Sequence, residues 1–406
     1  MSEQQPFSQL HIRQGQVPTA FVPHREQAST TPGFTQSDLL VIGDQISHVG
    51  DVPADSASAR LDATGCYLLP GFMDVHVHGG DGYDTMDGTA EGLTAMARFF
   101  AQHGVTAFLA TTMTAPHLDI LRAVRAVEQW GALINSGARI LGLHVEGPYI
   151  SLKFPGAQPA DYIRPPSLPE FGELLAAGPI RMMTLAPEVK GADELIAAAR
   201  QQRVIAVWGH TDATYEICVR AAQLGITQAT HTYNAMSGLH HRKPGVLGAT
   251  LTIDTIYAQL IADNIHVHPA AMNVVARCKG VGRTILITDA MRAAGLPEGE
   301  YELGGQPVTV KDGSCRLADG TLAGSILTME RALANFMAAT GLSLADAWPT
   351  TSRTPAQALG LDQQYGALQP GYQADVVLLD EQVQVVATVV GGRVVYLREP
   401  GRLVQA

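Results

Sequence analysis

The sequence is poor in charge and lacks the marks of a secreted, membrane or nucleic-acid-binding protein. Only 16% of its 406 residues are charged, and 27 Lys and Arg residues stand against 38 Asp and Glu, for a net charge of −11. This acidic balance argues against a general role on nucleic acid or anionic membranes. No apolar run reaches the roughly 18 residues of a membrane span. The first ten residues, MSEQQPFSQL, lack a basic-then-apolar signal pattern. We therefore expect a cytoplasmic protein with no membrane or nucleic-acid partner.

Cysteine is also scarce. The chain has four, at Cys66, Cys218, Cys278 and Cys315, and none belongs to a CxxC pair. A disulfide framework or a thiolate zinc site is therefore not expected. Hydrophobic residues, by contrast, make up 46% of the chain, which is enough to bury a large core. The length suggests either two or three domains or one large barrel with a small satellite domain.

Both chain ends have the short apolar runs and turn residues of β structure, whereas the middle alternates strand-like and helix-like segments. The strand-like runs cover residues 71–78, 106–112, 139–147, 182–188, 204–212, 229–234, 257–263 and 284–290. The clearest helical stretches between them cover residues 90–103, 118–136, 192–203, 216–224 and 269–278. Eight β-then-α units predict an α/β fold of the (β/α)8 TIM-barrel type.

The terminal β segments predict a small β-sandwich domain built from residues 1–68 and 365–406. The barrel then occupies residues 69–364, with a β-hairpin insertion near residues 298–320. The Pro/Thr/Ser-rich stretch at residues 18–34 is predicted to be a loop.

Polar side chains occur at the carboxyl ends of the predicted barrel strands, where barrel enzymes carry their active sites. They are His76 and His78, which share a face because they are two residues apart, then Glu146, His210, His231 and Asp289. Imidazoles and carboxylates suit zinc or iron(II), and such an ion makes water nucleophilic near neutral pH. Asp289 is the candidate that moves the proton. Each group alone has a structural explanation, such as a buried histidine pair or a capping residue. Their coincidence at five of the eight strand ends favours a metal-dependent hydrolase.

Several motifs carry a family resemblance. PGFMDVHVH (residues 70–78) resembles the first barrel strand of the amidohydrolase superfamily. LGLHVEGPY (141–149) is more specific and resembles N-acetylglucosamine-6-phosphate deacetylases. So do LAPE (185–188), GHTDA (209–213), THTYNAM (230–236), HRKPG (241–245), ADNIH (262–266), TDAM (288–291) and DGTLAGSILTM (319–329). The resemblance covers about residues 37–400.

This resemblance implies roles for individual residues. Glu146, His210 and His231 match the ligands of the main divalent metal, zinc or iron. His76 and His78 match the pair that holds a second ion in some members, so one or two ions per chain are implied. Asp289 matches the catalytic acid/base. The positions that match substrate contacts are Ala157, Gln158, Asn234, Ala235, Arg242, His266, Leu322, Ala323, Gly324 and Ser325.

Arg242 offers a bidentate fork for the 6-phosphate of the sugar. In the family this arginine can come from a neighbouring subunit, so the resemblance implies a homodimer in which Arg242 serves the other active site.

One departure from the family pattern bears on the substrate. Family members commonly have Lys-Lys-Gly-Ala-His after the Glu-Gly-Pro strand, whereas residues 154–158 here read FPGAQ. Gln158 stands where a substrate-contacting His is usual. Glutamine donates a hydrogen bond but cannot become a cation. The exact sugar is therefore open at this stage.

Several functions compete. The leading one is deacetylation of N-acetylglucosamine 6-phosphate; the alternatives are the N-acetylgalactosamine epimer or another N-acyl amine. Cyclic-amide hydrolases usually have a bridging carboxylated Lys at a strand end, and Glu146 in the ligand position argues against them. A non-catalytic binding protein would be expected to lose Asp289 or a metal ligand, and all are present.

Overall fold

The computed structural model describes residues 8–22, 33–53 and 57–405. Within these residues the strands are β1 Gln9–Pro18, β2 Phe34–Ile42, β3 Gln45–Gly50, β4 Ala59–Asp62, β5 Tyr67–Pro70, β6 Phe72–Val77, β7 Gly79–Gly80, β8 Tyr83–Asp84, β9 Val105–Thr112, β10 Arg139–Glu146, β11 Ile180–Leu185, β12 Ile205–Trp208, β13 Gln228–Ala229, β14 Tyr257–Ile261, β15 Thr284–Ile287, β16 Gly299–Leu303, β17 Gln306–Lys311, β18 Ser314–Arg316, β19 Val376–Leu379, β20 Val385–Val390, β21 Arg393–Leu397 and β22 Leu403–Gln405. The α-helices are α1 Ala90–Gln102, α2 His117–Trp130, α3 Leu168–Ala177, α4 Ala192–Gln201, α5 Tyr215–Leu224, α6 Gly245–Thr252, α7 Pro269–Lys279, α8 Met329–Thr340, α9 Leu344–Ala347 and α10 Arg353–Ala358.

Eight parallel strands form the barrel, in the order β6, β9, β10, β11, β12, β13, β14, β15. Each is followed along the chain by one helix of the series α1 to α8. Hydrogen bonds from the two residues that follow β15 to residues of β6 join the last strand to the first. The Asp289 N–H donates to the carbonyl of His76 at 2.9 Å, and the hydroxyl of Thr288 donates to the carboxylate of Asp74 at 2.5 Å. The predicted (β/α)8 barrel is confirmed.

The two ends of the chain meet in a second sheet of nine strands. β5 lies between β19, its antiparallel partner, and β1. β1 also pairs with β2 and β4, and its register shifts between Ile12 and Gly15, so its two halves face different parallel partners. The predicted small β structure formed from both termini is therefore present. β1 and β2 pair up to Pro18 and Phe34. Of the predicted loop between them, Thr19–Phe21 forms one 3-10 turn and residues 23–32 lie outside the described residues.

An antiparallel three-stranded sheet, β16 to β18, lies between β15 and α8 in the chain, at the position of the predicted hairpin insertion. Its apolar residues, including Leu303, Val308 and Cys315, pack in one buried cluster with Met113 and Met291. Met113 follows β9 and Met291 follows β15. The insertion therefore packs over the carboxyl ends of the barrel strands.

The later barrel strands are shorter than predicted. The runs predicted to end at residues 188, 212, 234, 263 and 290 end at Leu185, Trp208, Ala229, Ile261 and Ile287. Three candidate site residues explain part of this difference, because His210, His231 and Asp289 have φ angles of 48°, 27° and 49°. Such left-handed backbone cannot continue a strand. These side chains lie in the turns just past the strands, and strained backbone of this kind is concentrated at functional sites.

Candidate active site

A cavity of about 620 Å³ opens at the carboxyl ends of the barrel strands. Five of the six chemical groups predicted from the strand ends line it, and they are His78, Glu146, His210, His231 and Asp289. The sixth, His76, is fully buried beneath them. The structure thus brings the whole predicted set to one place.

Glu146, His210 and His231 form the tighter of two overlapping groups. Nε2 of His210 and Nε2 of His231 lie 3.2 and 3.1 Å from Oε1 of Glu146, and 3.1 Å from each other. All three residues are buried. Their ligand atoms lie within 4.8 Å of one another, a geometry that could hold a metal ion.

His76 and His78 form the second group with the same glutamate. Their Nε2 atoms lie 3.3 Å apart, and 3.4 and 3.2 Å from the two carboxylate oxygens of Glu146. Oδ1 of Asp289 lies 3.5 Å from Nε2 of His76 and 3.3 Å from Nε2 of His78. Glu146 therefore lies between two histidine pairs, and Asp289 lies against one of them.

The donor set of the first group fits a divalent cation. Nδ1 of His210 lies 3.0 Å from the backbone carbonyl of Phe154, so this nitrogen carries the proton and Nε2 presents a lone pair. That lone pair, Nε2 of His231 and Oε1 of Glu146 converge on one point. Lone pairs about 3 Å apart repel one another unless a cation or a shared proton lies among them. Two imidazoles and a carboxylate are ligands that zinc and iron accept.

The close packing of these imidazoles and carboxylates also determines the pKa values of Glu146 and Asp289. Burial alone would raise the pKa of Glu146, but the imidazoles of His76, His210 and His231 hold that pKa well below its usual range. Burial opposes charge on Asp289 too, yet the two neighbouring histidines lower its pKa to about 2. Both carboxyl groups are therefore ionised at neutral pH, as a metal ligand and a proton acceptor must be.

Neighbouring polar groups position the site. Nε2 of Gln158 donates to Oε2 of Glu146 at 2.7 Å, and its Oε1 accepts the Thr114 N–H at 2.7 Å. Glu188 accepts hydrogen bonds from the Thr211 hydroxyl and the Asp212 N–H, at 2.5 and 2.7 Å. These bonds hold the turn that follows His210.

His144, which is also in the third predicted strand, lies behind the site rather than in it. Its Nε2 lies 2.7 Å from the hydroxyl of Thr184, and its Nδ1 lies 3.2 Å from the carbonyl of Val75. Its ring packs edge-on against His76, with 4.6 Å between ring centroids. Burial, and after it the neighbouring imidazole of His76, lowers the pKa of His144 well below its usual range, so His144 is a neutral packing partner of the cluster.

The predicted substrate contacts divide into two sets. Those that line the cavity are Ala157, Gln158, Asn234, Ala235, His266, Leu322 and Gly324. Three others do not line it. Ala323 is buried in the core of the inserted sheet, and the Ser325 hydroxyl donates to the carbonyl of Thr288 at 2.6 Å. Arg242 is exposed, with Nη1 at 2.6 Å from Nε2 of the neighbouring His241.

The sequence reasoning missed several residues that line the cavity, and two of them are cations. Lys153 and Arg316 both line it, together with Phe154, Asp319 and Thr321. Arg316 ends β18 in the inserted sheet. The predicted hairpin placed a β structure after the last strand, but no motif indicated that one of its side chains faces the cavity.

Within residues 8–22, 33–53 and 57–405, no helix is long and apolar enough to cross a membrane.

Comparisons with known proteins identify relatives. The model of the amidohydrolase family matches residues 67–395. The chain is 42% identical to an N-acetylglucosamine-6-phosphate deacetylase of Bacillus subtilis (strain 168), over 81% of this chain and 85% of that protein. It is 41% identical to an N-acetylgalactosamine-6-phosphate deacetylase of Escherichia coli O157:H7, over 78% and 85%.

A solved structure is similar over almost its whole length. It is a mutant of the N-acetyl-D-glucosamine-6-phosphate deacetylase of Mycobacterium smegmatis, in complex with N-acetyl-D-glucosamine 6-phosphate. The TM-score is 0.86 at 32% identity, and the match covers 96% of this chain and all of that one.

Proposed function

This chain belongs to the amidohydrolase family, and from that premise we propose that it hydrolyses the acetamide of N-acetylglucosamine 6-phosphate to glucosamine 6-phosphate and acetate. The observation that carries the proposal is the buried cluster of Glu146, His210 and His231 with Asp289 at the edge of the same cavity. The substrate is a phosphorylated N-acetyl amino sugar. We choose the glucosamine epimer because the Bacillus subtilis relative and the sugar-bound Mycobacterium smegmatis structure are both named as N-acetylglucosamine-6-phosphate deacetylases. The Escherichia coli O157:H7 relative is named for the galactosamine epimer instead.

The proposal includes a division of the chain into two domains. Residues 69–364 form the catalytic barrel, and residues 1–68 with 365–406 form the small β domain. All residues that line the active-site cavity fall between His78 and Gly324, which supports this division. We also assign the enzyme to the cytoplasm.

Glu146, His210 and His231 would hold the principal divalent ion, zinc or iron. His76 and His78, with Glu146 between the pairs, would hold a second. When bound, such an ion would supply Lewis-acid chemistry, which makes water nucleophilic near neutral pH and stabilises developing negative charge. The Phe154 carbonyl keeps the proton of His210 on Nδ1, and the Gln158 amide fixes one oxygen of Glu146. These contacts hold the ligand atoms in place before substrate binds.

Asp289 moves the proton. Asp289 is ionised at neutral pH, so its carboxylate can accept the proton of the attacking water. The same carboxyl group then delivers that proton to the departing amine of the sugar, because an amine leaves more readily when protonated. The backbone bond from Asp289 N–H to the carbonyl of His76 holds the carboxylate beside the histidine cluster. Residues such as Asn234 and His266, which line the cavity, are the proposed contacts of the sugar.

We further propose a homodimer in which Arg242 serves the neighbouring active site. The support is that Arg242 is exposed and does not line the cavity of its own chain. A complementation experiment tests this. Chains with Arg242→Ala and chains with Asp289→Asn are unfolded, mixed and refolded. A hybrid dimer then has one intact site if the arginine acts across the interface, and activity recovers to about a quarter of the wild-type value. If each arginine serves its own chain, the mixture stays inactive.

The test of the overall function is a panel assay of acetate release. Purified protein of known metal content is offered N-acetylglucosamine 6-phosphate, the galactosamine epimer, and both unphosphorylated sugars. The expected result is the highest kcat/KM on N-acetylglucosamine 6-phosphate. Preference for the other epimer would overturn the choice of sugar, and no acetate from either phosphorylated sugar would overturn the activity.

A further inference from the structure

Two cations line the active-site cavity, and only one of them is already paired. Nζ of Lys153 lies 2.5 Å from Oδ2 of Asp212, so the lysine already has a carboxylate partner. The guanidinium of Arg316 has no carboxylate within 4.0 Å among the residues that the structure describes. Asp319 lies in the same loop, but its carboxylate accepts the N–H of Thr321 at 2.9 Å. Arg316 therefore keeps its charge for a ligand.

Arg316 is also held in place. Its Nη1 donates to the carbonyl of Gly320 at 2.8 Å, and its Nε donates to the hydroxyl of Ser314 at 3.3 Å. An antiparallel β-bridge between the backbones of Arg316 and Leu322 closes the turn that follows β18. Neutral acceptors orient the guanidinium without cancelling its charge. An arginine positioned in this way loses little entropy when it binds an anion.

The turn that leads into β18 packs against the loop after β14, which carries the cavity residue His266. A methyl group placed on Gly313 would contact Cδ1 of Ile265 at 3.8 Å, so the β17–β18 turn packs on the residue before His266. Arg316 and His266 line the same cavity. Nδ1 of His266 is held by Oδ2 of Asp263 at 2.6 Å, which leaves Nε2 to face a ligand. Arg316 and His266 thus both offer nitrogen donors to a ligand in this cavity.

We propose that Arg316 binds the 6-phosphate of the substrate from within the same chain. This inference rests on the proposed function, because it assigns one group of that substrate to one residue. A phosphate offers oxygens to the planar nitrogens of arginine and gains charge-assisted hydrogen bonds that the unphosphorylated sugar cannot form. Arg316 is therefore a specificity-determining residue, distinct from any arginine contributed by a neighbouring subunit.

The test compares Arg316→Ala and Arg316→Lys with Arg277→Ala, a control at an exposed arginine on α7. Michaelis constants are measured on N-acetylglucosamine 6-phosphate and on N-acetylglucosamine, and inorganic phosphate is titrated as an inhibitor. Arg316→Ala should raise KM for the phosphorylated sugar about ten- to a hundred-fold and weaken phosphate inhibition in parallel. Its kcat and its kinetics on the plain sugar should match the control. Arg316→Lys, which keeps the charge but loses the fork, should lie between them.

An unchanged KM in Arg316→Ala, or an equal rise for both sugars, would overturn the inference. Failure of the proposed function looks different, because the wild-type protein itself would then release no acetate. In that case calorimetry with inorganic phosphate still decides the matter. Wild type and the Arg277→Ala control should bind phosphate more tightly than Arg316→Ala, and equal affinity would overturn the assignment.

Discussion

The side chain of Gln158 connects the loop after β10 directly to a proposed metal ligand. Its Nε2 donates to Oε2 of Glu146 at 2.7 Å, while its Oε1 accepts the N–H of Thr114 at 2.7 Å. The orientation of the amide follows from these two partners, since only the nitrogen can donate and only the oxygen can accept. The residue that departs from the usual family histidine therefore positions Glu146, and it also lines the cavity.

Replacement of Gln158 by Leu should destabilise the protein. The change leaves the buried N–H of Thr114 without an acceptor and Glu146 without a donor, at an expected cost of about 1–3 kcal/mol. Urea unfolding of the metal-free protein measures this cost. Gln382→Leu, at an exposed position, is the matched control and should be nearly neutral. Equal unfolding free energies for Gln158→Leu and wild type would show that the hydrogen bonds of Gln158 do not stabilise the folded protein.

The stability of the protein should depend on Lys279 in alkaline solution. Burial lowers the pKa of Lys279 to about 8, and its Nζ donates to the carbonyl of Ile253 at 2.7 Å. Between pH 8 and about 10.4, the usual lysine pKa, the unfolded chain binds this proton and the folded chain does not. This difference makes the folded state more stable as pH rises.

The measurement is the difference in Tm between wild type and Lys279→Met at a series of pH values. The Tm of wild type should rise relative to that of Lys279→Met between pH 8 and pH 10. Lys190→Met, at an exposed position, should show a constant difference from wild type over the same range. A constant difference for Lys279→Met as well would mean that Lys279 titrates alike in both states.

The double replacement His76→Ala with His78→Ala should reduce bound metal from about two ions per chain to about one. The physical reason is that the second group loses both imidazoles, whereas Glu146, His210 and His231 remain. Metal analysis after exhaustive dialysis makes the measurement. His48→Ala, at an exposed position on β3, serves as the control. An unchanged metal count would show that the first-strand pair does not ligate an ion.

The sequence predicted the barrel and its cluster because both leave local signals. Buried parallel strands read as continuous apolar runs, and the groups that end them read as abrupt polar interruptions, as at His76 and His78. The prediction extended the later strands too far. His210, His231 and Asp289 lie past the ends of β12, β13 and β15, in left-handed backbone. No residue pattern distinguishes a strand end from the turn after it.

Long-range placement was the part that could not be predicted. Nothing in the sequence distinguishes Arg316 from an arginine on the protein surface. The packing of the inserted sheet on Met113 and Met291 brings it to the cavity. Similarly, His144 is two residues before Glu146 and so shares its face of the strand. The hydroxyl of Thr184, about forty positions later in the chain, holds it behind the site instead.

Proton transfer and metal binding are assigned to different residues, and one variant tests this separation most directly. Asp289→Asn should reduce kcat on N-acetylglucosamine 6-phosphate by about 10²–10⁴-fold, because the amide cannot accept the proton. The metal content per chain should stay at the wild-type value, since Glu146, His210 and His231 are untouched. Asp254→Asn, at an exposed position outside the cavity, is the matched control. Full activity of Asp289→Asn, with metal bound, would contradict the account.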